Sequence, residues 1–150
     1  MDAAINQQIL KLLGAHRIMT VATLRPDGWP QATTVGYAND GLTLYFLCGL
    51  DSQKAANLAR DDRISLTIDQ DTDQVMDITG LSMAAHARAV TDTAEATKAM
   101  ELLFARYPEQ KGFSLPMPKP EDVRIFSVMP VVISVLDYSN GFAHTDLVTC

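Results

Sequence analysis

Cysteine is scarce: Cys48 and Cys150 are the only two in 150 residues, and they lie far apart. That spacing makes no zinc motif, no redox pair and no disulfide framework, so a reducing cytoplasm suits the chain. The three histidines, His16, His86 and His144, have no partner at i+4, so no metal site is expected. Basic charge is also short. Twelve Lys and Arg face 18 Asp and Glu, for a net charge of −6, which argues against a broad nucleic-acid surface. No apolar run approaches the roughly 20 residues that span a bilayer. The N-terminus lacks a basic stretch followed by an apolar one, so no signal peptide is expected. Repeats and low-complexity segments are absent. What remains is 47% hydrophobic and 20% charged, the balance of a soluble globular protein. Residues 1–150 fit a single domain that buries a core without staples.

Periodicity supplies the elements. Ile5, Ile9, Leu12 and Leu13 share one helical face ahead of Gly14. "RIMTVATL" reads as a first strand, "RPDGWP" as a turn and "QATTVGYA" as a second strand. "NDG" at 39–41 predicts a hairpin that pairs the second strand with a third, "LTLYFLC". A short helix follows at 52–60, then a fourth strand, "RISLTIDQ". Residues 75–91 read as a long fifth strand bent at Gly80. Asp92 and Glu95 form a capping-box pattern before a helix that buries Ala96, Ala99, Met100, Leu103, Phe104 and Tyr107. "GFSLPMPKP" is a proline-rich loop, and "VRIFSVMPVVISVLDYS" supplies the last strand or strands, with Pro130 marking an edge or bulge. About six strands with short hairpins predict an antiparallel barrel flanked by two or three helices.

"YFLCGLDSQK", residues 45–54, stands out. A strand runs into a turn, a cap residue, a lysine and a helix. A helix start offers unpaired N–H groups and a positive dipole end, and Ser52 and Lys54 add a hydroxyl and a charge. That combination suits a phosphate. The alternative is a plain cap by Asp51 or Ser52 beside a solvated lysine. The segment is neither a Walker loop nor a dinucleotide fingerprint.

The ordered set Gly28-Trp29-Pro30, Asp40-Gly41, Tyr45-Phe46, Ser52-Gln53-Lys54 and Asp62-Arg63, followed by "GLSMAAHARAVTD", resembles the pyridoxamine 5′-phosphate oxidase-like superfamily, the FMN-binding split β-barrels. The resemblance covers most of residues 15–138. It implies a six-stranded antiparallel split barrel and a homodimer with FMN at the subunit interface. It places the main chain of Gln31, Thr33, Thr34 and Val35 beside the flavin, and Leu47, Cys48 and Gly49 at the pyrimidine end of the ring. Ser52, Gln53 and Lys54 match the phosphate clamp, and Ser82 of the other subunit matches a polar contact to the ring. Tyr138, Phe142 and His144 are candidates for substrate contact or proton supply in the dimer cleft; the other reading of this segment is a frayed end.

The sequence also departs from the oxidase itself. An arginine and a lysine of its second strand stand here as Gln31 and Gly36, and a clamp arginine stands as Gln53. The tryptophan and Arg-x-His-x-Arg pattern that go with its substrate are not found. The expected activity is therefore flavin-dependent redox chemistry on another small molecule. The alternatives are a deazaflavin-dependent reductase, a flavin or haem carrier without turnover, or a dimer whose anion site takes only sulfate or phosphate. His86 is expected to be satisfied by a backbone carbonyl, and Arg63 and Arg88 to be solvated or paired. Cys48, among apolar neighbours, is expected to act as a small hydrophobe.

Overall fold

A computed structural model describes residues 1–108 and 118–150. The chain runs α1 (Ala3–Ala15), β1 (Ile18–Leu24), β2 (Pro30–Gly36), β3 (Ala38–Asp40), β4 (Thr43–Gly49), α2 (Gln53–Arg60), β5 (Arg63–Asp69), β6 (Thr79–Ala89), α3 (Thr93–Ala105), β7 (Val123–Asp137) and β8 (Thr145–Thr149). Most of the "GFSLPMPKP" segment lies outside the described residues.

All strand pairs are antiparallel, in the order β2-β1-β5-β6-β7-β4-β3, with β8 added to β7. β2 and β3 stand at opposite ends of that order, yet only Tyr37 separates them in the chain. The sheet must therefore curl until its ends meet. This is the barrel that the hairpins predicted, with two differences. The "QATTVGYA" stretch is not one strand: β2 pairs with β1, and only Ala38–Asp40 forms the hairpin with β4. The tail adds β8, so eight strands stand where six were expected. Tyr37 makes the break. It is fully buried and its hydroxyl donates to Leu13 O at 2.7 Å, which turns the chain inward under α1.

The long strand predicted from residue 75 starts at Thr79; residues 75–77 form a single 3₁₀ turn. Gly80 does not bend β6. It lies inside the strand, where a Cβ would come within 2.7 Å of Ile68 O, so only glycine permits this approach of β5 and β6. The bulge predicted at Pro130 is present, opposite Ala84 and Ala85.

The interior is filled by alternate residues of each strand. In β5, Ile64, Leu66 and Ile68 point in while Ser65 and Thr67 point out. Phe46 and Phe126 stack at 5.3 Å between centroids, and Ile9 and Leu13 of α1 close one side of the core. α3 packs Ala99 and Met100 on a second apolar layer with Tyr45 and Ile125. Its capping half holds, since Asp92 accepts from Glu95 N at 2.9 Å; the Glu95 carboxylate instead accepts from Tyr45 Oη at 3.1 Å.

Candidate functional site

α2 starts where it does because Ser52 Oγ accepts from Ala55 N at 3.1 Å. The hydroxyl offered to an anion is thus also the helix cap. Gln53, the first helical residue, donates from Nε2 to Asn57 Oδ1 at 2.8 Å. Asn57 Nδ2 in turn reaches Thr23 Oγ1 at 2.9 Å and Gln31 Oε1 at 3.4 Å. Asn57 has no solvent exposure and Thr23 has 2%, so β1, β2 and α2 are tied by a buried polar knot. Arg60, at the last turn of α2, donates to Leu24 O and fixes the other end of the helix against β1.

The knot brings together two residues assigned separately by the resemblance, Gln31 and Gln53. Both line a cleft of about 480 Å³ whose other walls are Arg25, Pro26 and Asp27 of the β1–β2 turn. That turn is held by Gly28 N to Arg25 O at 2.9 Å and Arg25 N to Trp29 O at 3.0 Å. It passes through Gly28 at φ +86°, a conformation glycine adopts freely. Lys54 lies outside the lining of this cleft; it is half-buried and has no ion pair or hydrogen bond among the described residues.

On β2, Gln31, Thr33 and Val35 turn toward the barrel interior and Thr34 toward the outer face, as their pairing with Thr23, Val21, Met19 and Thr20 requires. Thr33 Oγ1 is buried and has no hydrogen-bond partner among the described residues. β2 is also a terminal strand, with one edge unpaired by any other strand. Open main-chain N–H and C=O groups along that edge, next to the amides of Gln31 and Gln53, are the chemistry that a flat heterocycle with polar edges and a polar tail would satisfy. The residues present therefore fit a flavin. On β4, Leu47 packs toward α3 while Cys48 is 9% exposed inside the core, so its sulfur is a packing group and the strand presents main chain at Gly49. Ser82 lies on the outer face, three strands from β2 in the sheet order.

The tail is ordered by pairing, not frayed. After a 3₁₀ turn at Tyr138–Asn140 it returns as β8 along β7. Tyr138 and Phe142 meet edge-to-face at 5.6 Å, and Phe142 is 75% exposed. His144 Nε2 lies 3.1 Å from Asp146 Oδ2. The Ser139 hydroxyl donates to Asp137, so no Ser–His–Asp relay forms. His86 is satisfied by a carboxylate and not by a carbonyl: its Nδ1 lies 2.8 Å from Asp62 Oδ1, and Arg88 Nε reaches Asp62 Oδ2 at 3.1 Å. The hydrogen bond from His86, then that from Arg88, holds the Asp62 carboxyl below its usual range. Arg63 is held by Asp61 at 2.7 Å, and its hydrogen bonds lower the Asp61 pKa to about 2. A larger hollow of about 660 Å³ lies on the other flank of α2, between Ala55, Leu58, Ala87, Arg88, Arg124 and Phe126. Among the described residues no His, Cys, Asp and Glu cluster could hold a metal ion.

Sequence reasoning missed Asn57, Thr23 and Arg25. A signal for Asn57 was there: it stands at i+4 from Gln53 on the side of α2 that also carries buried Leu58. An uncapped asparagine on an apolar helix face needs partners. Arg25 had no such signal, since its place beside Gln53 depends on how β1 and α2 pack.

A curled antiparallel sheet with a polar cleft where a helix start meets its terminal strand defines a split β-barrel. The family model for pyridoxamine 5′-phosphate oxidase matches residues 5–136, and the chain belongs to that family. Solved structures agree in fold. A conserved hypothetical protein from Mycobacterium tuberculosis matches with TM-score 0.77 and 24% identity over 97% of this chain and 91% of its own. A haem-binding protein from Mycobacterium smegmatis matches with TM-score 0.77 and 18% identity over 99% of this chain and 59% of its own. An FAD-binding protein from Mesorhizobium loti matches with TM-score 0.68 and 16% identity over 90% and 94%. No curated protein matches the chain in sequence.

Proposed function

We propose that this protein is a cytoplasmic homodimer that binds FMN between its subunits and uses it for oxidation or reduction of a small molecule. The observation that carries this reading is the meeting of Gln31 and Gln53, tied through Asn57, in a polar cleft where the terminal strand β2 reaches the start of α2. Bound flavin would supply hydride or electron transfer. The chain's own part is to hold and orient it. Ser52, Gln53 and Lys54 serve the phosphate end, and the main chain of Thr33, Thr34, Val35 and Gly49 serves the ring. Tyr138, Phe142 and His144 stand as candidates for substrate contact, with Asp146 fixing the imidazole.

The outer sheet face supports the dimer. One register row crosses six strands as Thr34, Thr20, Thr67, Ser82, Ser134 and Leu147. The next row is Ala32, Ala22, Ser65, Ala84, Val132 and Thr149. Neither row contains a charge, although most of these side chains are exposed in a single chain. A solvated sheet face is ordinarily rich in Lys and Glu; a patch of small uncharged residues suits a second copy. In this reading Ser82 of the second copy supplies the polar contact to the ring.

The test is titration of the apo-protein with FMN and riboflavin, followed by flavin fluorescence. The expected result is tighter binding of FMN, and Lys54→Ala weakens FMN about tenfold or more while changing riboflavin little, since a charged phosphate contact contributes roughly 1.5–3 kcal/mol. Equal loss for both ligands would remove Lys54 from the phosphate site. The haem-binding description of the Mycobacterium smegmatis structure favours haem carriage as the second reading. Haemin in the same assay, with a Soret shift and no flavin quenching, would select it.

A further inference from the structure

We infer that Arg25, in the β1–β2 turn, supplies the phosphate-binding charge of the Gln31–Gln53 cleft, and that Asp27 holds this arginine in reserve until the anion arrives. The inference rests on the flavin-phosphate reading above and deepens it. Among the described residues Arg25 is the one cation lining that cleft, and Asp27 is the one anion. Their ion pair, at 2.9 Å with both side chains 49% exposed, is of the weak, solvated kind that a stronger acceptor displaces. A phosphate dianion offers the planar guanidinium a better partner than one shared carboxylate.

The amides are set for the same ligand. Gln31 Oε1 accepts from Asn57, which leaves the Gln31 Nε2 hydrogens free to donate into the cleft. The Gln53 Nε2 gives one hydrogen to Asn57 Oδ1 and keeps the other. Asn57 is fully buried and satisfied on both ends, so it fixes both amides before any ligand binds. The result is an arginine and two amide donors around a polar recess. Asp27 makes the sign of the effect unusual. Its Oδ1 accepts from Trp29 N at 3.1 Å and Oδ2 holds Arg25, so Asp27→Asn can keep the turn while removing the competing charge.

The experiment measures FMN and riboflavin binding to three proteins: unaltered, Arg25→Gln and Asp27→Asn. Arg25→Gln is expected to weaken FMN about tenfold or more and leave riboflavin within about twofold, as loss of a charged hydrogen bond to phosphate requires. Asp27→Asn is expected to tighten FMN about threefold or more, a gain that a merely structural role would not produce. If Arg25→Gln misfolds, the Asp27→Asn result decides alone. Should the unaltered protein prefer FMN while neither variant shifts that preference, Arg25 is not the phosphate cation and the flavin reading stands. Should the unaltered protein show no preference for FMN, both the flavin-phosphate reading and this inference fall together.

Discussion

Tyr37 shows how one side chain sets both geometry and pH response. Burial pushes its pKa up to about 12, with the nearby Arg106 charge working the other way. Its ring also lies under the Arg106 guanidinium, 5.3 Å from the centroid. A phenol raised from its ordinary 10.0 contributes stability that is whole below pH 10 and is lost as pH climbs toward 12, because the unfolded chain ionises first. Tyr37→Phe should therefore lose about 1 kcal/mol at pH 8, where Leu13 O loses one of its two donors and keeps Arg106, and the gap to the unaltered protein should narrow by pH 11. Urea melts at the two pH values check this; a constant gap would mean that the hydroxyl does not titrate with unfolding. "QATTVGYA" read as one strand because alternation continues through it. The break at Tyr37 rests on a bond to a helix carbonyl 24 residues earlier, which no local pattern encodes.

At the level of elements, the helices were the most legible part and their tethers the least. The cap at Asp92, the stop of α1 near Gly14 and the start of α2 at Ser52 all follow from local chemistry. What seats α1 does not. Arg106, just past α3, donates to Leu13 O at 2.9 Å, Gly14 O at 3.2 Å, His16 O at 2.8 Å and Asn39 Oδ1 at 2.6 Å. It satisfies the carbonyl end of one helix from the end of another and places a cation at the negative end of its dipole. Arg106→Ala should cost about 2–4 kcal/mol, since several charge-assisted bonds to partly buried carbonyls are lost together. A melting shift of only a degree or two would show that water replaces the guanidinium without loss. The candidate site divides the same way. Ser52, Gln53 and Lys54 were legible as a motif, whereas the cleft that Gln53 lines is completed by Arg25 and Gln31 through sheet packing.

On the scale of the whole molecule, the two uncharged rows on the outer face make dimerisation testable without reference to flavin. Thr67 sits in the middle of the row on β5, exposed in a single chain and away from the core. Thr67→Arg would bury an unpaired cation at the centre of a closed interface, costing roughly 3–5 kcal/mol of association. The expected outcome is a folded monomer by sedimentation, with circular dichroism unchanged; a persistent dimer would move the interface to another face. The closure of the barrel has a separate consequence. β2 and β3 are the two ends of the main strand order, and both belong to one stretch, Pro30–Asp40. A sheet ordinarily frays from one edge at a time. Here detachment of an 11-residue segment strips both ends of that order in a single event. The same segment carries Gln31, Thr33 and Thr34, so a ligand seated on it would act as a latch for the barrel as a whole.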